Sequence, residues 1–318
     1  MKKDIPLITE KHQVNKFKSF LVDSITAAQF DELTTGYYSK SSLLALSKDW
    51  RLFNEFCRLN GVSSIPASVT AVRRFLDKER ASRKYSTLKR YTVTIGVVHT
   101  VLQLKDPTKN REVGLLLGAI RTAGADKVKT TNAFTEIHLA QLDKLLANST
   151  EPKDLRDLAI YYVMFECAMK RRDLRNLNLD HIELLNQSIN ILIESTRYVL
   201  SSEASAALGE WMKHNPYTTL FTSIDRHGNI NNGLLDDSSI YRILRRASEL
   251  LHLPDNLRFS SQSGRVGAVK KLWSEGYKVR EIQEFGRWAS PAMPLQYTGK
   301  TELSDVEKSK FKPSKDYD

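Results

Sequence analysis

The chain has 318 residues, 41% apolar and 27% charged, enough for two domains with cores of their own and ordinary for a globular protein. No run approaches the roughly eighteen uninterrupted apolar residues of a membrane span, and the opening Met1-Lys2-Lys3-Asp4-Ile5-Pro6-Leu7 lacks the apolar core of a signal peptide, so a cytoplasmic protein with no membrane partner is expected. Cys57 and Cys167 stand far apart in apolar helical patterns and read as buried free thiols; no Cys/His cluster has metal-ligand spacing and no glycine-rich phosphate loop occurs, so no cofactor is expected.

The net charge of +11 is unevenly placed. Residues 1–130 hold 23 Lys/Arg against 12 Asp/Glu, while residues 131–318 hold 25 of each, so the whole excess lies in the first part. A polyanionic partner would explain such asymmetry; an idle, solvated basic face would explain it equally well taken alone.

In chain order, residues 1–38 read as a polar arm with one short helix near Ile25–Leu33. From Ser41 to Leu59 the residues Leu43, Leu46, Trp50, Phe53 and Phe56/Cys57 recur at helical spacing, and Asn60-Gly61 ends the run. Helices follow near Ser68–Arg80, Ser86–Leu104 and Asn110–Thr122, which makes a helical domain over 39–123. Residues 124–134 are small, polar and basic and read as a linker. Helices resume near Thr135–Leu146 and Pro152–Met169. The stretch Ile182–Leu200 is the only convincing β region, with Ser188–Ile193 rich in β-branched residues and Arg197–Leu200 as its return strand. Further helices are expected near Glu203–Met212, Ser238–Leu251, Ser263–Ser274, Val279–Phe285 and Pro291–Tyr297, and residues 301–318 form a polar tail.

The wording Ser261-Gln262-Ser263-Gly264-Arg265-Val266-Gly267-Ala268, then Gly286-Arg287-Trp288 and Tyr297, resembles the tyrosine recombinase or phage integrase family, its Cre-like branch most closely. Ser86-Thr87-Leu88-Lys89-Arg90-Tyr91 and Leu104-Lys105-Asp106-Pro107-Thr108 resemble that family's core-binding domain. The resemblance implies a mainly α fold of two domains closing on duplex DNA, with a mixed, mostly helical catalytic-type domain over 135–300.

The chemistry of that family is phosphoryl transfer. A tyrosine oxygen attacks a phosphodiester and a 5′ hydroxyl leaves. The phenol is a weak nucleophile near neutrality, so the site must stabilise phosphoryl oxygens and protonate the leaving oxygen. Two arginines do the first and a hairpin lysine, with a His and a His or Trp, does the second. Here Tyr297 falls at the nucleophile position, Arg265 at the second arginine and Trp288 at the His/Trp position. Gly264 and Gly267 leave room for a backbone to approach. Plainer readings are a half-buried tyrosine, a surface arginine and a core tryptophan. Three positions depart from the pattern. Anchoring on Asp173, Leu174, Leu177 and Ile182 puts Lys170 at the first arginine; Arg197 falls at the hairpin lysine, and Gln262 at the His. Lysine lacks the planar fork, arginine is a poor proton donor, and a carboxamide exchanges no proton near neutrality.

These substitutions point to a sequence-specific double-stranded DNA-binding protein with impaired catalysis, acting in mobile-element target recognition beside transposition proteins. An active recombinase using Tyr297, and a structural partner with no DNA role, are the alternatives. Arg73, Arg74, Arg80, Arg83, Lys84, Lys89 and Arg90 are the candidate DNA contacts of the first domain, with Lys127 and Lys129 tracking phosphates along the linker.

Overall fold

Apolar residues at three- and four-residue spacing put most of the chain into helices. A computed structural model describes residues 5–123, 131–185 and 188–299, and divides at 129/130 into two units. The fold is mainly α, and among the described residues the small antiparallel sheets lie in the second unit.

In the first unit the described helices are α1 (Lys11–Asp23), α2 (Ala27–Leu33), α3 (Lys40–Leu59), α4 (Val69–Glu79), α5 (Tyr85–Val101) and α6 (Arg111–Ala123). Serine oxygens cap α3 and α4: Ser39 accepts from the Ser42 amide and Ser68 from the Ala71 amide, answering donors that a helix start leaves open. The core joins Trp50, Phe53 and Phe75 to Leu88, Tyr91 and Val98. The expected polar arm is instead part of this core. Phe17, Leu21, Ile25, Phe30 and Leu33 are all buried in it. The Trp50 indole donates to the Leu21 carbonyl at 2.8 Å, and the Ile8 amide to the Val101 carbonyl at 2.9 Å. The apolar face Val14-Phe17-Phe20/Leu21 is diluted by lysines and amides, which masks its helical period.

The second unit is built on α8 (Pro152–Glu166), in which every residue from Leu155 to Phe165 is buried. Around it lie α7 (Glu136–Leu146), α9 (Arg171–Asn176), α10 (Ser202–His214), α11 (Asp237–Leu250), α12 (Ser263–Ser274), α13 (Val279–Phe285) and α14 (Ala292–Thr298). Strands β1 (Ile182–Leu185), β2 (Ser188–Ile193) and β3 (Thr196–Val199) form one antiparallel sheet in that order, with Ile191 opposite Tyr198 and Leu192 opposite Arg197. It is not the only β structure. β4 (Thr222–Ile224) and β5 (Ile230–Leu234) make a second hairpin, closed by Asp225, whose carboxylate accepts the His227 and Asn229 amides. Three strand residues are too few to show a period of two, so only the Gly228-Asn229 turn signals it.

Helix α8 stops at Glu166, short of the expected Met169, because Ala168 adopts a left-handed backbone, φ +42°. The Ala168 carbonyl therefore lies outside the helical ladder and is available to another donor.

His99, fully buried in α5, receives the Ala67 amide on Nε2 at 2.9 Å and faces the Ile95 carbonyl with Nδ1 at 2.8 Å. This pattern needs the neutral ring with its proton on Nδ1, and burial lowers its pKa below the ordinary 6.5. Burial lowers His138 likewise. A lowered folded pKa means that the unfolded chain binds more protons just below 6.5, so this stability is complete above that pH and is lost as pH falls towards the folded value. The thermal midpoint of the full chain is expected to drop between about pH 7 and 5, and the drop to shrink in His99→Gln. A midpoint independent of pH over that range would contradict this assignment.

Candidate active site and nucleic-acid interface

Four segments of the second unit meet at one guanidinium. Arg265 of α12 is only 3% exposed. Its Nη1 donates to the Ala168 carbonyl, freed by the early end of α8, and its Nη2 donates to the Gly286 carbonyl at 2.9 Å. Its face lies on the Trp288 ring, 3.9 Å from the ring centre. Tyr297 of α14 meets the same indole edge-on, with centroids 6.3 Å apart at 68°. Burial, and then the charge of nearby Arg287, bring the Arg265 pKa down to about 10, which leaves it cationic near neutrality.

Close backbone packing sets this geometry. A Cβ on Gly267 would lie 1.6 Å from the Phe134 carbonyl oxygen, and one on Gly264 3.0 Å from that of Met164. The backbones that use the room beside these glycines are thus the protein's own. At the loop after α13, a Cβ on Gly286 would lie 1.6 Å from the Trp288 ring, so glycine is what lets the indole fold back over its own turn onto Arg265.

Tyr297 is half-buried, and desolvation raises its phenol pKa while the Arg265 charge pulls the other way. It is held as the neutral phenol near pH 7. Gln262 sits at the N-terminus of α12, and its carboxamide makes no hydrogen bond among the described residues. Lys170 precedes α9, and its ammonium has no ion-pair partner among the described residues. Arg197 is 57% exposed on β3 and turns across the sheet to Glu183, at 3.1 Å. The structure therefore gathers Arg265, Trp288 and Tyr297, and directs Arg197 to a surface pair.

Two members of this cluster are not among the sequence-derived candidates. Arg287 lies between Gly286 and Trp288 with its side chain 5% exposed and paired to Asp173 at 2.7 Å. Tyr198 of β3 donates its hydroxyl to the Phe285 carbonyl, and burial pushes its pKa up to about 12. A Gly-Arg-Trp triplet gives no periodicity that would mark its arginine as buried.

In the first unit Arg74, Lys84 and Lys89 are exposed and make no ion pair among the described residues. Arg73, Arg80 and Arg83 are exposed too, but paired with Glu112, Asp77 and Glu79. Such surface pairs contribute at most about 1 kcal/mol and exchange readily for another anion. Arg90 differs. Both its Nε and Nη2 bind the carboxylate of Asp49, at 2.7 and 2.8 Å, and Asp49 is buried at 4% exposure in α3. Its first task is to neutralise a core carboxylate, which also receives the Thr94 hydroxyl. Lys127 and Lys129 lie outside the described residues.

The phage integrase family model matches residues 136–303. Recombinase cre of Escherichia phage P1 is 22% identical over 288 residues, covering 80% of this chain and 82% of that protein. An integrase/recombinase xerD homolog of Selenomonas ruminantium is 23% identical over 276 residues, with 81% of each covered. The same fold occurs in the Tn1549 transposon integrase in complex with transposon right end DNA, with a TM-score of 0.66 at 10% identity over 91% of this chain and 98% of that one. It also occurs in XerH recombinase bound to a palindromic difH substrate, with a TM-score of 0.64 at 12% identity over 96% and 90%.

Substituting Gly286→Ala drives a methyl into the indole, and unfolding in denaturant is expected to show a loss of about 1–3 kcal/mol. Arg90→Ala leaves the Asp49 carboxylate buried without its fork, at a cost of about 1.5–3 kcal/mol, whereas Lys89→Ala should stay within about 0.5 kcal/mol. Equal stabilities for the two variants would remove the structural role given to Arg90.

Proposed function

The chain belongs to the phage integrase family of tyrosine recombinases, and on that footing we propose that it grips double-stranded DNA sequence-specifically with strand cleavage impaired, as the target-recognising component of a mobile element. One observation supports the reading: among the described residues Arg265, Trp288 and Tyr297 are gathered, whereas Arg197 is turned away to Glu183 and Gln262 offers no titrating group. Arg265 is charged, buried and rigidly oriented beside Tyr297. A phosphodiester drawn there would meet a fixed cation in a low-dielectric surrounding, where such contacts are strongest.

Cleavage asks for more. The phenol must lose a proton to attack phosphorus, and the departing 5′ oxygen must gain one. The Tyr297 phenol is shifted away from ionisation by burial. Gln262 has no titrating group, and Arg197 is turned to Glu183. Each missing acid or base typically lowers a rate by about 10²–10⁴. The active-recombinase reading keeps one specific support: Tyr297 stands against Trp288 and within the field of Arg265, the place a nucleophile would need.

On the first unit, Arg74, Lys84 and Lys89 offer free cations to a phosphate backbone, and Arg73, Arg80 and Arg83 offer exchangeable ones. Contacts of this kind position a duplex rather than read it.

The protein is expected to bind duplex DNA with affinity that falls steeply with salt, and Lys89→Ala to lower the log–log slope by about 1. Incubated with a nicked duplex that traps any covalent adduct, it should give far less adduct than an active family member. Rapid adduct formation lost in Tyr297→Phe would establish the active reading instead.

A further inference from the structure

Arg287 closes α13 in the left-handed conformation of a helix C-terminus, φ +53°, its amide donating to the Glu284 carbonyl and the Trp288 amide to the Gln283 carbonyl, both at 3.0 Å. Its side chain is 95% removed from solvent, being 5% exposed. Asp173 holds one end through Nη2 at 2.7 Å, and the guanidinium carbon lies 5.3 Å from the centre of the Tyr198 ring. The Tyr198 hydroxyl is anchored to the Phe285 carbonyl, so both supports are fixed. Yet Nε and Nη1 of Arg287 are buried without an acceptor among the described residues. Buried donors left open are costly, and those on a cation more so.

Charge sharpens the point. Arg287 is close enough to Arg265 for its field to lower the latter's proton affinity. Asp173, only 12% exposed, pairs with Arg287, while Arg265 has no ion-pair partner among the described residues. The cluster carries an excess positive charge and open donors on the same residue. Lys170, at the position where the family resemblance asks for the first arginine, makes no ion pair among the described residues.

We propose that Arg287, oriented by Asp173 and Tyr198, is the second guanidinium of the phosphodiester cradle and takes the place left by Lys170, with its open donors receiving a non-bridging phosphate oxygen. The inference rests on the DNA-binding reading above. It makes Arg287 a phosphate-contacting residue, and Asp173 a positioning residue that aims it.

The test uses the full chain and duplexes recovered by repeated selection from a random-sequence pool. Arg287→Met is expected to weaken binding about tenfold or more and to flatten the salt slope by about 1, while Lys170→Met changes affinity less than about twofold. Arg287→Lys keeps a cation beside Asp173, and so guards against misfolding; without the planar group it should still lose about fivefold. In the absence of DNA, the double variant Arg287→Met/Asp173→Asn should melt no lower than the unaltered chain, because it relieves a charge excess; an arginine kept for the fold would make it melt lower. Tight, salt-steep binding that neither Arg287 variant disturbs sinks this inference alone. Recovery of no duplex, or binding indifferent to salt, sinks the DNA reading and the inference together.

Discussion

The second unit depends on how one buried charge is accommodated. A guanidinium taken out of water is tolerated only where its donors find acceptors and its faces find polarisable partners. Arg265 finds the Ala168 carbonyl, the Gly286 carbonyl and the Trp288 ring. These come from the end of α8 and the turn after α13, segments far apart in the chain. The same bonds that make the charge tolerable therefore fix three pieces of backbone around it. Left-handed Ala168 ends α8 early enough to free the carbonyl, and Gly267 lets α12 press against the Phe134 backbone closely enough to deliver the side chain. The packing of the unit and the geometry of the site are one arrangement.

A second ionic cluster in the same unit is balanced differently. On α8, Asp157 is fully buried between Arg156 and Arg246, and Arg246 also reaches Asp154. Arg156 spends a further donor on the Thr222 carbonyl at 3.2 Å. Two guanidiniums meet two carboxylates, and Arg156, Asp157 and Arg246 line a cavity of about 600 Å³. Around Arg265 and Arg287 the ratio is two to one, with donors left over. A balanced network needs no further partner, whereas an unbalanced one leaves room for an additional anion.

Much of this was legible in the residues, and the failures have physical causes. Helices α3, α4, α11 and α12 announce themselves through apolar spacing and terminal serines, aspartates or glycines. The order Arg265, Trp288, Tyr297 is readable because a motif preserves spacing along the chain. Helix α1 was hidden because its buried stripe is narrow and its remaining positions are polar. The β4–β5 hairpin is too short to carry a period. Arg90 and Arg287 illustrate a deeper limit. Both look like free cations in a sequence, yet one is bound to a core carboxylate forty-one positions away and the other to one 114 positions away. Ion pairs of that range depend on tertiary folding and leave no local trace.

The two halves of strand-transfer chemistry place different demands on a fold. Holding a phosphate needs only fixed positive groups, whose effect is insensitive to pH near neutrality. Moving protons needs groups poised to gain and lose them there, and neither the Trp288 ring beside Tyr297 nor the nearby Arg265 charge is such a group. Arg265 remains cationic with a pKa of about 10, the indole of Trp288 does not titrate, and burial keeps the phenol itself protonated. An electrostatic cradle can persist under selection for DNA binding alone, because a correctly aimed cation contributes to affinity whether or not cleavage follows. A proton donor contributes nothing to ground-state grip, so it is the part that substitution removes first when docking is the trait retained.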